Sequence, residues 1–186
     1  MFRLATPPDI SERALVEQCL DRDAPSLQRL AQRTLFERYK RAMFSTVFRL
    51  LNDYDAANDA LQDGFVEVFR NLGGFRHEST LGAWIKTIMV RQALRQRRLF
   101  PVFQPLDTLT HDPPADLPDT LTGEQLDVAI RSLPDGCRAV FLLAEVEGYP
   151  HREVAQMLNI SEGTSKSQVN YARKLLRQKL GKGNDL

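Results

Sequence analysis

The apolar residues of this chain recur every three or four positions along most of its length, which is the period of an α-helix with one buried face. Asn52 and Gly73 interrupt the period, and Pro25 stands where the first turn of a helix accepts proline. No segment alternates apolar and polar residues as a strand would. The pattern therefore predicts an all-α fold. The longest apolar run comprises Leu27, Ala31, Leu35, Tyr39, Met43, Val47 and Leu50.

A proline-rich stretch divides the helical pattern into two parts. Five prolines and four aspartates fall between Pro101 and Thr120, with no apolar period, so we predict an acidic linker at 100–121. Two small helical domains are expected on either side, at 9–99 and 122–182. The second domain is predicted to contain four helices, at Gly123–Ser132, Asp135–Glu147, Pro150–Leu158 and Glu162–Leu180.

Short polar signals mark several helix ends. Asp9 and Glu12 have the spacing of a capping box for the first helix. Near the C-terminus, Asn159 is suited to the left-handed backbone of a tight turn, and Ser161 is suited to cap the following helix. Ile160 between them is expected in the core. Two helices joined by such a turn predict a helix-turn-helix unit.

The distribution of charge favours nucleic acid as a partner, although the net charge is only +1. Neither the segment from Ser79 to Leu106 nor that from Gly163 to Asn184 contains an acid, and both are rich in arginine and lysine. In the last helix the apolar Val169, Ala172 and Leu176 share one face, so that the basic residues lie roughly opposite. A helix of this kind is suited to a DNA major groove.

Nothing in the sequence predicts catalysis, a metal or a cofactor. The histidines His77, His111 and His151 have no cysteine or carboxylate at ligand or triad spacing, and there is no phosphate-binding glycine loop. Cys19 and Cys137 are far apart, which argues against a disulfide framework. There is neither a signal-peptide pattern nor an apolar run of about 18 residues. We expect a cytoplasmic, non-enzymatic protein that does not insert into membranes.

Two groups of residues together resemble the extracytoplasmic-function (ECF) sigma factors of bacterial RNA polymerase. Residues 133–143, 147–149, 153–155, 163–167 and 172–173 are similar to region 4 of that family. Residues 59–65, residues 75–79 and the stretch around Trp84 are similar to region 2. The resemblance follows the family order over nearly the whole chain, and it implies a factor that binds core polymerase and directs promoter-specific initiation.

The resemblance also implies roles for particular residues. Contact with the β′ clamp helices of core polymerase is expected for Asp59, Gln62 and Asp63. Contact with −10 promoter DNA is expected for His77, Lys86, Arg91, Arg95, Arg97 and Arg98. Contact with −35 DNA is expected for Lys166, Ser167, Asn170, Arg173, Lys174 and Arg177. The resemblance also implies two further partners, the polymerase β flap and an anti-sigma factor. Trp84 is expected either in the core or as a wedge beside melted DNA.

The chain departs from the family pattern at several positions. Arg91 stands where many relatives have an asparagine near the −10 element, so the base preference of those relatives cannot be assigned to this chain. Gly64 stands where the family has a larger side chain. Two other functions remain open: a sigma-like decoy that binds an anti-sigma factor, and a dimeric helix-turn-helix repressor. The retained basic face argues against the decoy, and the acidic residues at 59–63 and the acidic linker argue against the repressor.

Overall fold

The computed structural model describes residues 10–96 and 122–181. Within these two ranges the chain forms eight α-helices and no strand, which confirms the predicted all-α class. A 3₁₀ turn, Leu72–Gly74, follows α3, and a π-helical turn, Leu142–Val146, follows α6. The helices are α1 Glu12–Leu20, α2 Pro25–Leu51, α3 Tyr54–Asn71, α4 Leu81–Gln96, α5 Gly123–Arg131, α6 Asp135–Phe141, α7 His151–Leu158 and α8 Glu162–Gly181.

The described residues divide into two units. One contains the residues up to Val47 together with Asn58–Gln92, and the other contains Phe48–Ala57 and the described residues from Ala93 onward. The predicted linker lies outside the described residues, as do Asp9, Arg97 and Arg98. The domain boundaries at 9–99, 100–121 and 122–182 stay a prediction.

Local signals end and restart the helices where the sequence indicates. α2 begins at Pro25 and ends at Leu51, and Asn52 takes a left-handed backbone with φ 51°. The Asp53 carboxylate accepts a hydrogen bond from the Ala56 backbone N–H at 2.9 Å, which satisfies one of the free donors at the start of α3. A left-handed residue followed by a capping aspartate therefore separates α2 from α3.

The core of the first unit forms where α2, α3 and α4 approach one another. The rings of Phe36 and Phe65 pack edge to face with centroids 4.7 Å apart, and Leu35 and Ile85 are fully buried. The predicted apolar run on α2 is wrong at its first position, because Leu27 is 60% exposed. The helical period continues through Leu27, but the Leu27 side chain faces solvent.

Glu12 links three helices instead of capping its own. The cap of α1 is Ser11, whose hydroxyl accepts a hydrogen bond from Ala14 N, so the predicted box of Asp9 and Glu12 is wrong. Glu12 Oε1 accepts from the Tyr39 hydroxyl at 2.8 Å, and Glu12 Oε2 accepts from Leu81 N at 3.0 Å. Glu12 therefore supplements the cap of α4, in which the Thr80 hydroxyl accepts from Ala83 N at 3.2 Å. Burial and the hydrogen bond to Glu12 raise the pKa of Tyr39 to about 12.

The second unit is organised around α8, which packs against α5, α6 and α7. α5 begins with a capping box of Thr122 and Gln125. The turn between α5 and α6 is held by Arg138, whose buried guanidinium donates to the Leu133 carbonyl at 2.9 Å and to the Asp135 carboxylate at 2.6 Å. Carbonyls and a carboxylate accept from the two terminal nitrogens of this buried cation, whereas its Nε has no hydrogen-bond partner among the described residues.

The helix predicted at Asp135–Glu147 is not one regular α-helix. It changes after Phe141 to a π-helical turn, in which Glu147 N donates to Leu142 O at 2.9 Å, five residues back. The wider turn changes which residues face inward: Val146 would continue the apolar face of an α-helix, yet it is 48% exposed. The other three helices of this unit begin and end within one residue of their predicted bounds.

Candidate nucleic-acid interface

The turn between α7 and α8 has the geometry expected of a helix-turn-helix. Asn159 has left-handed angles of φ 53° and ψ 49°, and the Ser161 hydroxyl accepts a hydrogen bond from Thr164 N at 2.9 Å. On α7, Val154 and Leu158 are buried. Ile160 is only partly buried, so its predicted place in the core is wrong. The Asn159 conformation and the Ser161 cap set the direction in which α8 leaves the turn.

α8 has an apolar face and an opposite face without acids. Val169, Ala172 and Leu176 are buried as predicted. From Gly163 to Gly181 the helix contains no aspartate or glutamate. Positions 166, 170, 173 and 177 follow one another at helical spacing, which brings them onto one side of α8. Lys166, Asn170 and Arg173 are exposed, and Ser167, Lys174 and Arg177 are half-buried.

Several predicted DNA contacts are engaged within the protein. Lys166 Nζ lies 2.7 Å from Glu162 Oε1 on the same helix, and this hydrogen bond lowers the pKa of Glu162. The Ser167 hydroxyl donates to the backbone carbonyls of Gly163 and Thr164 at 3.1 and 3.0 Å. The Ser167 hydroxyl is therefore used inside the first turns of α8.

Two buried polar residues on the inward face of α8 were missed from the sequence. Ser165 is fully buried, and its hydroxyl lies 2.9 Å from His151 Nδ1 at the start of α7. Gln168 is also buried and accepts a hydrogen bond from Cys137 Sγ at 2.7 Å. A polar residue at an inward helical position predicts a buried partner. In the sequence, the positions of Ser165 and Gln168 relative to the apolar Val169 already placed both polar residues on the inward face of α8.

An aromatic stack lies at the loop predicted to contact −10 DNA. The Phe75 ring packs against His77 with centroids 4.5 Å apart and against Trp84 with centroids 5.3 Å apart. Phe75 is buried, Trp84 is half-buried, and His77 is exposed with a left-handed φ of 56°. Residues 76–80 are all exposed. Trp84 is therefore part of both the core and the accessible surface.

The basic residues predicted for −10 DNA do not all share one side of α4. Arg91 and Arg95 are exposed and lie one turn apart. Lys86 is half-buried, and its position is rotated by about 140° from that of Arg91 around the helix axis. Arg97 and Arg98 belong to the residues that the structure does not describe.

The acidic residues of α3 form an exposed side of that helix. Asp59, Gln62 and Asp63 are exposed, whereas Leu61 and Phe65 point into the core, as predicted. Val66, the next position on the exposed side, is 47% exposed and was missed because an isolated valine is usually buried. This side of α3 therefore combines carboxylates with one apolar residue, a combination suited to a protein partner.

Over residues 10–96 and 122–181, no helix is both long enough and apolar enough to cross a lipid bilayer.

The sequence matches two family models. Residues 35–99 match sigma-70 region 2, and residues 123–176 match sigma-70 region 4. The chain is 31% identical over 151 residues to the ECF RNA polymerase sigma factor SigM of Mycobacterium tuberculosis, which covers 79% of this chain and 76% of that protein. It is 25% identical over 187 residues to the ECF RNA polymerase sigma-E factor of Haemophilus influenzae, which covers 92% of this chain and 96% of that protein.

Two solved structures share the fold. The first is the sigma factor RpoE in complex with the anti-sigma factor NepR from Bartonella quintana, with a TM-score of 0.50, 18% identity and coverage of 82% of this chain and 98% of that one. The second is CnrH in complex with the cytosolic domain of CnrY, with a TM-score of 0.50, 19% identity and coverage of 92% and 98%. At these identities the comparison concerns the fold alone.

Proposed function

The chain belongs to the ECF-type sigma-70 factors, and from this membership we propose how its two helical parts share the work of promoter recognition. As an ECF RNA polymerase sigma factor it directs transcription initiation, and its partners are core polymerase and promoter DNA. Sigma factors are not enzymes. The chemistry of RNA synthesis belongs to the polymerase that they bring to the promoter.

In this proposal, α8 enters the major groove of the −35 element. The observation that carries it is the acid-free face of α8, set opposite a buried face and directed by the Asn159 turn and the Ser161 cap. Asn170 lies near the N-terminal half of α8, where side chains reach base edges. The basic residues on the same side neutralise backbone phosphates, namely Lys166, Arg173, Lys174 and Arg177.

Residues 35–99, which match sigma-70 region 2, are proposed to bind the −10 element. The loop after the 3₁₀ turn presents His77 against the Phe75 ring, which also packs against Trp84, and an unstacked base gains free energy by stacking on such aromatic side chains. Arg91 and Arg95 on α4 then hold the adjacent phosphates. Lys86, Arg97 and Arg98 complete the proposed −10 set, with Lys86 contacting a separate stretch of backbone because it faces another side of α4.

The exposed side of α3 is proposed to bind the β′ clamp helices of core polymerase. Asp59 and Asp63 provide negative charge, Gln62 provides hydrogen bonds, and Val66 provides an apolar contact between them. Charged side chains around a small apolar centre are typical of protein interfaces. The second unit is proposed to contact the β flap, as region 4 does in the family.

An anti-sigma factor is proposed as a further partner, and the cytoplasm as the place where both act. Support comes from the related fold of RpoE, which was solved in complex with the anti-sigma factor NepR. A decoy without DNA binding is disfavoured because α8 keeps its basic face.

The test is transcription from a template library. Core polymerase is incubated with barcoded templates carrying random −35 and −10 blocks, with and without the full chain, and the transcripts are sequenced. The chain should enrich templates with one pair of sequence blocks at a fixed spacing, and core polymerase alone should enrich none. The same transcripts with and without the chain would refute the proposal.

A further inference from the structure

Arg173, one of the residues proposed to bind phosphate, is held by a carboxylate from another element. Its Nη2 lies 2.6 Å from Oε2 of Glu145, which belongs to the π-helical turn after α6. The Arg173 side chain is 46% exposed and that of Glu145 is 30% exposed. The pair is therefore open to solvent and accessible to an approaching phosphate.

Glu145 differs in its placement from the other acid beside the α8 face. Glu162, which pairs with Lys166, is on α8 itself and belongs to a flexible surface pair four residues apart. Glu145 comes from a turn whose backbone is fixed by the bond from Glu147 N to Leu142 O and which packs against α7. Its carboxylate is therefore kept beside the part of α8 from Gly163 onward, which contains no acid of its own.

A carboxylate in this place opposes DNA binding in two ways. It occupies the guanidinium that a phosphate would bind, and its own charge repels the phosphate. Exposed ion pairs are weak, so a well-placed phosphate can replace Glu145 as the partner of Arg173. The cost of displacing Glu145 applies to DNA of any sequence, because the backbone phosphates are the same in all of them.

We propose that Glu145 is a positioning residue that makes DNA compete for Arg173 and thereby weakens binding to non-promoter DNA. The inference rests on the proposed function, in which α8 lies against DNA. Specificity then has a repulsive component as well as an attractive one: all DNA meets the cost of displacing Glu145, and base contacts by α8 offset that cost only at the correct sequence.

The experiment measures binding of the full chain to a fluorescein-labelled 20-base-pair duplex of mixed sequence over a series of KCl concentrations. Glu145→Gln should bind about three- to tenfold more tightly at low salt and steepen the salt dependence by up to about 0.9, the value for one more phosphate contact. Glu124→Gln is the matched control, because it removes the same charge from the exposed first turn of α5. We expect it to change affinity by less than about twofold.

A second pair of variants isolates the contact. With Arg173→Gln already present, Glu145→Gln should tighten binding less than it does with Arg173 in place, because only the repulsion between the carboxylate and the phosphates is then relieved. Weaker binding by Glu145→Gln, an unchanged salt slope, or equal tightening in the Arg173→Gln background would overturn the inference. Lys166→Ala and Arg177→Ala test the proposed DNA face of α8 independently of Glu145. If these two variants bind DNA more weakly while Glu145→Gln leaves the affinity unchanged, only the inference about Glu145 fails. If they also leave the affinity unchanged, the proposed DNA face is wrong.

Discussion

Gly64 of α3 lies directly against Met89 of α4, and a methyl group at position 64 would overlap the sulfur atom of Met89. Met89 is fully buried, so any shift of its side chain has to be accommodated inside the core. The Met89 side chain occupies the space that a side chain at position 64 would fill. The two residues together set how closely α3 and α4 approach.

Gly64→Ala should therefore destabilise the first unit, because overpacking a core costs about 1–3 kcal/mol and exceeds the helix propensity that alanine gains. With Met89→Ala present, the same substitution should become neutral or stabilising by up to about 1 kcal/mol. Urea unfolding followed by the fluorescence of Trp84, the one tryptophan of the chain, measures both effects. An equal effect of Gly64→Ala in the two backgrounds would contradict the packing argument.

Glu12→Ala should destabilise the first unit by about 1–3 kcal/mol, because it leaves both the Leu81 N–H at the start of α4 and the Tyr39 hydroxyl without this acceptor. Glu17→Ala is the control on the same helix: Glu17 is exposed and pairs only with the exposed Arg13 among the contacts seen, so its loss should cost at most about 0.5 kcal/mol. The same urea experiment compares them. Similar costs for both variants would mean that the Glu12 contacts contribute nothing specific.

The stability of the first unit should fall as the pH rises from about 10 to about 12. The pKa of Tyr39 is raised from 10.0 to about 12 in the folded protein, so in this range the unfolded chain has released the phenolic proton and the folded chain still holds it. Each added pH unit then favours unfolding. Tyr39→Phe should show a shallower fall over the same range in urea unfolding, and an identical slope in both proteins would refute this.

In α8, different residues should determine the sequence preference and the salt dependence of DNA binding. Asn170→Ala should relax preference at one position of the −35 element, at a cost of about 1–3 kcal/mol for a bidentate base contact. Lys174→Ala or Arg177→Ala should weaken binding to all sequences and reduce the salt slope by about 0.9 each. Holoenzyme binding to matched and scrambled −35 duplexes at several salt concentrations measures both. A changed preference with an unchanged salt slope in Lys174→Ala would show that α8 is placed wrongly.

Reversing the charge of Asp59 and Asp63 to lysine should reduce the affinity for core polymerase at least about tenfold, because like charges at an interface cost several kcal/mol in complexes that use charge complementarity. Glu17→Lys with Glu124→Lys provides the same change in net charge at exposed positions elsewhere. Fluorescence anisotropy of labelled chain titrated with core polymerase is the measurement. If both double variants bind equally well, the side of α3 bearing Asp59 is merely solvated.

The sequence by itself determined the helical class, most helix ends and the helix-turn-helix, because these depend on interactions within a few residues. The left-handed Asn159, the cap at Ser161 and the helix start at Pro25 follow from the properties of single residue types. The exposed side of α3 was predictable for the same reason, since a 3.6-residue period places Asp59 and Asp63 opposite the apolar positions.

The tertiary structure decided which partners the polar residues have. Glu12 lies 69 residues from Leu81 in the chain, and Arg173 lies 28 residues from Glu145, so no local pattern predicts either contact. The exposure of Leu27 and the position of the π-helical turn after Phe141 likewise depend on tertiary packing. A helical period shows which face of a helix is apolar. The packing of distant segments decides whether another helix covers that face and where a helical turn must widen.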